Sequence, residues 1–117
     1  MTSDVFEPDE GDLIWTDFDP RIGRKQGGRR PALVISPVEF WRASRFAIVC
    51  PITSRVRPFG TSVVLPPGLP IGGEILTGHV RSIDTMSRPI VSVNCRVPAS
   101  ILDDVRAKLA ALMGFNG

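Results

Sequence analysis

The sequence predicts a mostly β domain: a compact, twisted, barrel-like sheet of six or seven short strands followed by one C-terminal helix. Three observations carry this. Eleven prolines and eleven glycines in 117 residues cut the chain into short elements joined by turns. Strand-length runs, either continuously apolar or alternating, recur between those breaks. Helical periodicity is convincing only near the C-terminus. Together they describe short strands closed by a terminal helix.

Residues 1–10 are polar and acidic and are expected to form a loose arm. Asp12-Leu13-Ile14-Trp15-Thr16-Asp17-Phe18-Asp19 has a strand's length and ends at Asp19-Pro20, with Trp15 and Phe18 expected in the core. Pro31 to Ser36 is a short apolar run and reads as a central strand, with Pro31 at its beginning, where a missing N–H is tolerated. Ser36-Pro37 starts a single helical turn over Val38 to Ala43, because proline suits the first helical position. Trp41 there is a core residue or a dimer contact. Phe46 to Thr53 is the next strand, and Pro51 suggests an edge or a bulge. Thr61 to Leu65 is another, ended by Pro66-Pro67-Gly68. Gly72-Gly73 precedes Glu74-Ile75-Leu76, and His79 to Ile83 and Ile90 to Val97 alternate polar with apolar. In the C-terminal helix, Ser100 and Asp103 have capping-box spacing. Ile101, Leu102, Val105, Leu109, Leu112 and Met113 share one face, and Gly114 ends it.

The length suits a single domain, residues 1–117, and 43% apolar with 22% charged residues is the composition of an ordinary globule. Cys50 and Cys95 lie in apolar runs without metal-ligand spacing, so both read as buried free thiols and no metal or other cofactor is expected. The first residues carry acids where a signal peptide needs bases, and no apolar run reaches membrane-spanning length. The expected location is therefore cytoplasmic, with no membrane partner.

The net charge of +2 hides a strong asymmetry: seven of the twelve acids precede residue 20, and nine of the fourteen bases fall between Arg21 and Arg57. Such a basic band on a near-neutral chain points to a local anionic ligand. Its densest part is Gly23-Arg24-Lys25-Gln26-Gly27-Gly28-Arg29-Arg30, which leads into the apolar run at Pro31. Glycines allow close backbone approach, and arginines present planar forks that fit phosphate at two points. A solvated charged loop is the alternative.

Five segments, in order, resemble the MazF/PemK/Kid family of bacterial toxins. They are Gly11 to Pro20, Gln26 to Ile35, Pro51-Ile52-Thr53-Ser54, Pro58-Phe59 with Val63-Val64-Leu65, and His79-Val80-Arg81-Ser82-Ile83-Asp84. The resemblance runs from about residue 11 to residue 114. It implies an SH3-like barrel of the CcdB/MazF type and a homodimer. It also implies a metal-independent endoribonuclease that cuts single-stranded RNA at short sequences, leaving a 2′,3′-cyclic phosphate and a 5′-hydroxyl. The implied antitoxin partner lays an extended, acidic peptide over the site.

Arg30 and Thr53 match the family's catalytic arginine and threonine. An arginine beside the scissile phosphate stabilises developing negative charge. Its high pKa makes it a poor proton carrier. The structural alternatives are an ion pair of Arg30 with Asp17 or Asp19, and an ordinary strand role for Thr53. Arg24, Lys25, Arg29, Arg55 and Arg57 are the expected phosphate contacts, with Gly27, Gly28 and Ser54 beside them. Gln26, Phe59, His79 and Arg81 are candidates for reading bases. Lys25 stands where many family members carry glutamate, which leaves open a stronger phosphate grip or weakened catalysis. A non-enzymatic toxin or binding module on the same fold, such as a gyrase inhibitor, is the rival reading. The Gly-Phe-Asn-Gly end lacks the Trp-Gly-Ile of that type.

Overall fold

The computed structural model describes residues 5–17, 29–58 and 60–115. Arg24, Lys25, Gln26, Gly27, Gly28, Phe18 and Phe59 lie outside the described residues. The described chain forms β1 (Asp12–Asp17), β2 (Arg29–Val34), α1 (Val38–Ser44), β3 (Phe46–Thr53), β4 (Ser62–Val64), β5 (Glu74–Leu76), β6 (Arg81–Asp84), β7 (Ile90–Arg96) and α2 (Ala99–Met113). A 3-10 turn over Thr77–His79 links β5 to β6. All strand pairs are antiparallel, in the order β4-β5-β3-β2-β1-β7, with β6 also paired to β3. The expected mostly β class with a C-terminal helix is what the chain adopts.

Both faces of the central strands are buried, which is why they read as continuous apolar runs. On one face Leu13, Leu33, Cys50, Ile52 and Ile75 pack with Val105 and Leu109 of α2. On the other, Ile14, Ala32, Val34, Ala47, Val49 and Ile83 form a second cluster, with Phe6 and Ile90 against it. Burial pushes the Cys50 thiol up to about 12 and holds it protonated. Cys95 is only half-buried, and both cysteines are free.

Several local expectations change. Pro31 is the third residue of β2, not its first, and it is tolerated because pairing with β3 begins only at Ala32. Pro51 lies in a strand with neighbours on both sides. On one edge β3 passes from β6, which pairs with residues 46–49, to β5, which pairs with 52–53, and Pro51 falls in the gap. No side-chain cap forms at α2: its N-cap is Pro98, and Ser100 lies inside the helix. Leu112 and Met113, in the last turn of α2, are 44% and 48% exposed rather than buried. Gly114 terminates the helix in a left-handed conformation (φ 77°), as its position suggests.

The arm expected to be loose is tied down from Glu7 onward. Asp9 accepts the Val38 N–H at 2.9 Å and pairs with Arg96 at 2.8 Å. Glu7 pairs with Arg42, and Glu10 with Arg106. The acidic start of the chain thus meets basic groups of α1, β7 and α2.

Candidate functional site

The register of two strands builds the site. β2 and β3 pair Ala32 with Pro51, Leu33 with Cys50 and Val34 with Val49. The pairing ends at Ala32 and Pro51, and beyond it the start of β2 and the end of β3 bring Arg30 and Thr53 to one cleft. On the other side of β2, Arg30 faces Thr16 and Pro31 faces Trp15. The sequence brings the basic end of one strand to the hydroxyl end of its neighbour, although 23 positions separate Arg30 from Thr53.

A cleft of about 800 Å³ opens at this end of the sheet. Arg29, Arg30 and Arg55 supply its charge, Thr53 and Ser54 its hydroxyls. Trp15, Pro31 and Ile52 form an apolar wall, and Pro70, Ile71 and Gly72 complete the rim. No carboxylate or imidazole lines the cleft among the described residues. Three guanidinium groups around one opening, with no acid in its described lining, make it a site for anions. The alternative ion pair for Arg30 is not formed with Asp17, which stands opposite Arg29. Among the described residues Arg30 makes no ion pair.

Thr53 is set for donation. The Arg55 N–H donates to Thr53 Oγ1 at 3.1 Å, closing a small hydroxyl turn at the strand end. With its oxygen already accepting a bond, the hydroxyl keeps its own hydrogen for a ligand. Behind it, Gly73 has φ +129°, and a Cβ built there would lie 2.2 Å from the Thr53 carbonyl oxygen. Only glycine fits that approach.

Of the expected site residues, Arg29, Arg30, Thr53, Ser54 and Arg55 share the cleft. Arg57 does not line it; its backbone N–H donates to Glu74 Oε1 at 2.7 Å. His79 is exposed on the 3-10 turn rather than on a strand. Arg81 pairs with Val49, four residues before Thr53, and lines a separate hollow with Phe46, Asp84 and Arg88. Neither reaches the cleft.

Trp15 is the residue that sequence reasoning misplaced. The sequence places it in the core, but it is 36% exposed and lines the cleft. It shares a face with Leu13, and that face is covered at Leu13 and open two residues later. Its pairing with Pro31, beside the two arginines, was the signal, and it is visible only once the register is known.

Among the described residues no three His, Cys, Asp or Glu side chains are grouped to hold a metal ion, and no helix is long and apolar enough to cross a membrane.

Fold and cleft together define a small antiparallel-sheet protein with an arginine- and hydroxyl-lined site at one sheet end. Residues 9–113 match the family described as PemK-like, MazF-like toxins of type II toxin–antitoxin systems, and the chain belongs to that family. It is 35% identical over 109 residues to the endoribonuclease toxin MazF of Escherichia coli K12, covering 93% of this chain and 96% of that protein. A crystal structure of MazF from Deinococcus radiodurans superposes with a TM-score of 0.84 at 41% identity, covering 94% of this chain and 99% of that one. A MazE–MazF crystal structure from the same organism gives 0.82 at 38% identity, covering 94% and 98%.

Proposed function

We propose that this protein is a toxin that cleaves single-stranded RNA endonucleolytically without a metal ion, using Arg30 and Thr53. The observation that carries the reading is that these two residues meet in one cationic cleft. The MazF and PemK relatives, named as endoribonucleases, support the substrate class.

In the reaction, the ribose 2′-oxygen attacks the adjacent phosphorus and the bond from phosphorus to the 5′-oxygen breaks. The 2′-hydroxyl loses a proton to solvent, and the departing 5′-oxygen gains one. The products are a 2′,3′-cyclic phosphate and a 5′-hydroxyl. Negative charge gathers on the non-bridging oxygens at the pentacoordinate stage. The Arg30 guanidinium offers two directed N–H bonds there, and the Thr53 hydroxyl a third. With no imidazole or carboxylate among the described lining, catalysis here rests on charge stabilisation and alignment. Arg29 and Arg55 position the backbone. Trp15 gives an exposed ring on which a base can stack, a contact worth about 1–3 kcal/mol.

The protein acts as a homodimer, and its antitoxin inhibits it by laying an acidic, extended segment along this same cleft. The MazE–MazF complexes among the structural relatives support a protein partner of that kind.

Fragment-end chemistry tests the reaction. Products of the purified protein should accept a 5′-phosphate from polynucleotide kinase without prior dephosphorylation. They should also carry a cyclic phosphate that acid opens. Fragments with 5′-phosphate and 3′-hydroxyl ends would show hydrolysis by an activated water instead.

A further inference from the structure

A buried carboxylate sits directly behind the cleft. Glu74 is 1% exposed, and its backbone pairs with Thr53 on one side and Val64 on the other. One carboxylate oxygen accepts the Arg57 N–H at 2.7 Å, and the other accepts the Ser62 hydroxyl. Burying a carboxylate is costly unless its oxygens are bonded, and simple strand packing would be served better by a valine. What the carboxylate gains is a fixed hold on the segment leaving β3. That segment, residues 54–57, is exposed along its length and carries Ser54 and Arg55 into the cleft. At its start it is held by the Arg55 N–H on Thr53 Oγ1, and at its end by Glu74.

We infer that Glu74 is a positioning residue for RNA cleavage: by holding the Arg57 amide, it fixes the loop that orients the Thr53 hydroxyl and the Arg55 side chain. This rests on the ribonuclease reading above. Glu74 touches no RNA. Its loss therefore acts on alignment in the transition state more than on grip.

The test compares Glu74→Ala and Glu74→Gln in the full chain by single-turnover cleavage of single-stranded RNA and by amide hydrogen exchange. In Glu74→Ala, exchange at Arg57 and Arg55 should quicken while Val49 and Ile83 stay protected. The cleavage rate at saturating RNA should fall about 10- to 100-fold, with half-saturation moving less than about threefold. Glu74→Gln keeps an oxygen for the Arg57 N–H and should cleave within about threefold of the natural chain. Full-rate cleavage by Glu74→Ala despite a loosened Arg57 amide would overturn the inference, as would equal loss in the glutamine variant.

If Glu74→Ala does not fold, Arg57→Pro removes the donor N–H together with the side chain, and Arg57→Ala is the control that removes the side chain and keeps the N–H. The proline variant should have a maximal rate about 10-fold or more below that of the alanine variant; equal rates in the two would overturn the inference. If the natural chain cuts no RNA, the ribonuclease reading fails by itself. The exchange measurement then decides whether Glu74 holds the 54–57 segment.

Discussion

Gly73 shows how one backbone position sets the chemistry at another. Its φ of +129° is open to glycine, and its missing Cβ is what lets β5 lie against the Thr53 carbonyl. Gly73→Ala should cost about 1–3 kcal/mol of stability and push β5 off the end of β3. Thermal melting and RNA cleavage should therefore fall together. Unchanged melting would mean that the strand relaxes around the methyl group. In the sequence Gly72-Gly73 precedes the strand at Glu74, but nothing there tells which glycine faces which carbonyl. The resemblance points to Arg30 and Thr53, because both fall inside its matching segments, and both line the cleft. Trp15 is not legible in the sequence as a cleft residue. Its neighbours Leu13 and Ile14 are buried, and only the strand's position at the mouth of the cleft leaves it half in water.

At the scale of elements, the run of residues predicts β3 without error, from Phe46 to Thr53. The prolines mislead because their cost depends on neighbours the sequence does not name. Pro31 and Pro51 both sit where strand pairing on one side is interrupted. The capping signal at Ser100 fails for a related reason: Pro98 already sets the start of α2. The cap that does form is long-range, since Asp9 accepts the Val38 N–H at the start of α1. Burial raises the Asp9 carboxyl, but backbone N–H bonds from Glu10 and Val38 and the Arg96 guanidinium outweigh it and leave the pKa below the ordinary Asp value. A lowered carboxyl pKa stabilises the fold above the unfolded value near 4, and that stability drains as the pH falls through the folded value. Asp9→Asn should melt lower than the natural chain at pH 7, by on the order of 0.5–1 kcal/mol. The gap should close in acid, below about pH 4. A gap that stays constant from pH 7 to pH 2 would show that the charge on Asp9 contributes nothing.

For the whole molecule, charge and topology divide the labour. The acids at the start of the chain are spent on Arg42, Arg96 and Arg106, around α1, β7 and α2. Arg29, Arg30 and Arg55 line the cleft at the sheet end, where no acid is among the described lining residues. Composition alone shows the basic band; the pairing of β2 with β3 turns it into a site.

The most direct test is to incubate the purified protein with a long single-stranded RNA in EDTA, beside Arg30→Ala and Thr53→Ala. Discrete fragments from the natural chain, with rates reduced about 100-fold or more in both variants, are the predicted result. RNA left intact by a natural chain that still arrests growth would contradict the account and point to a protein target.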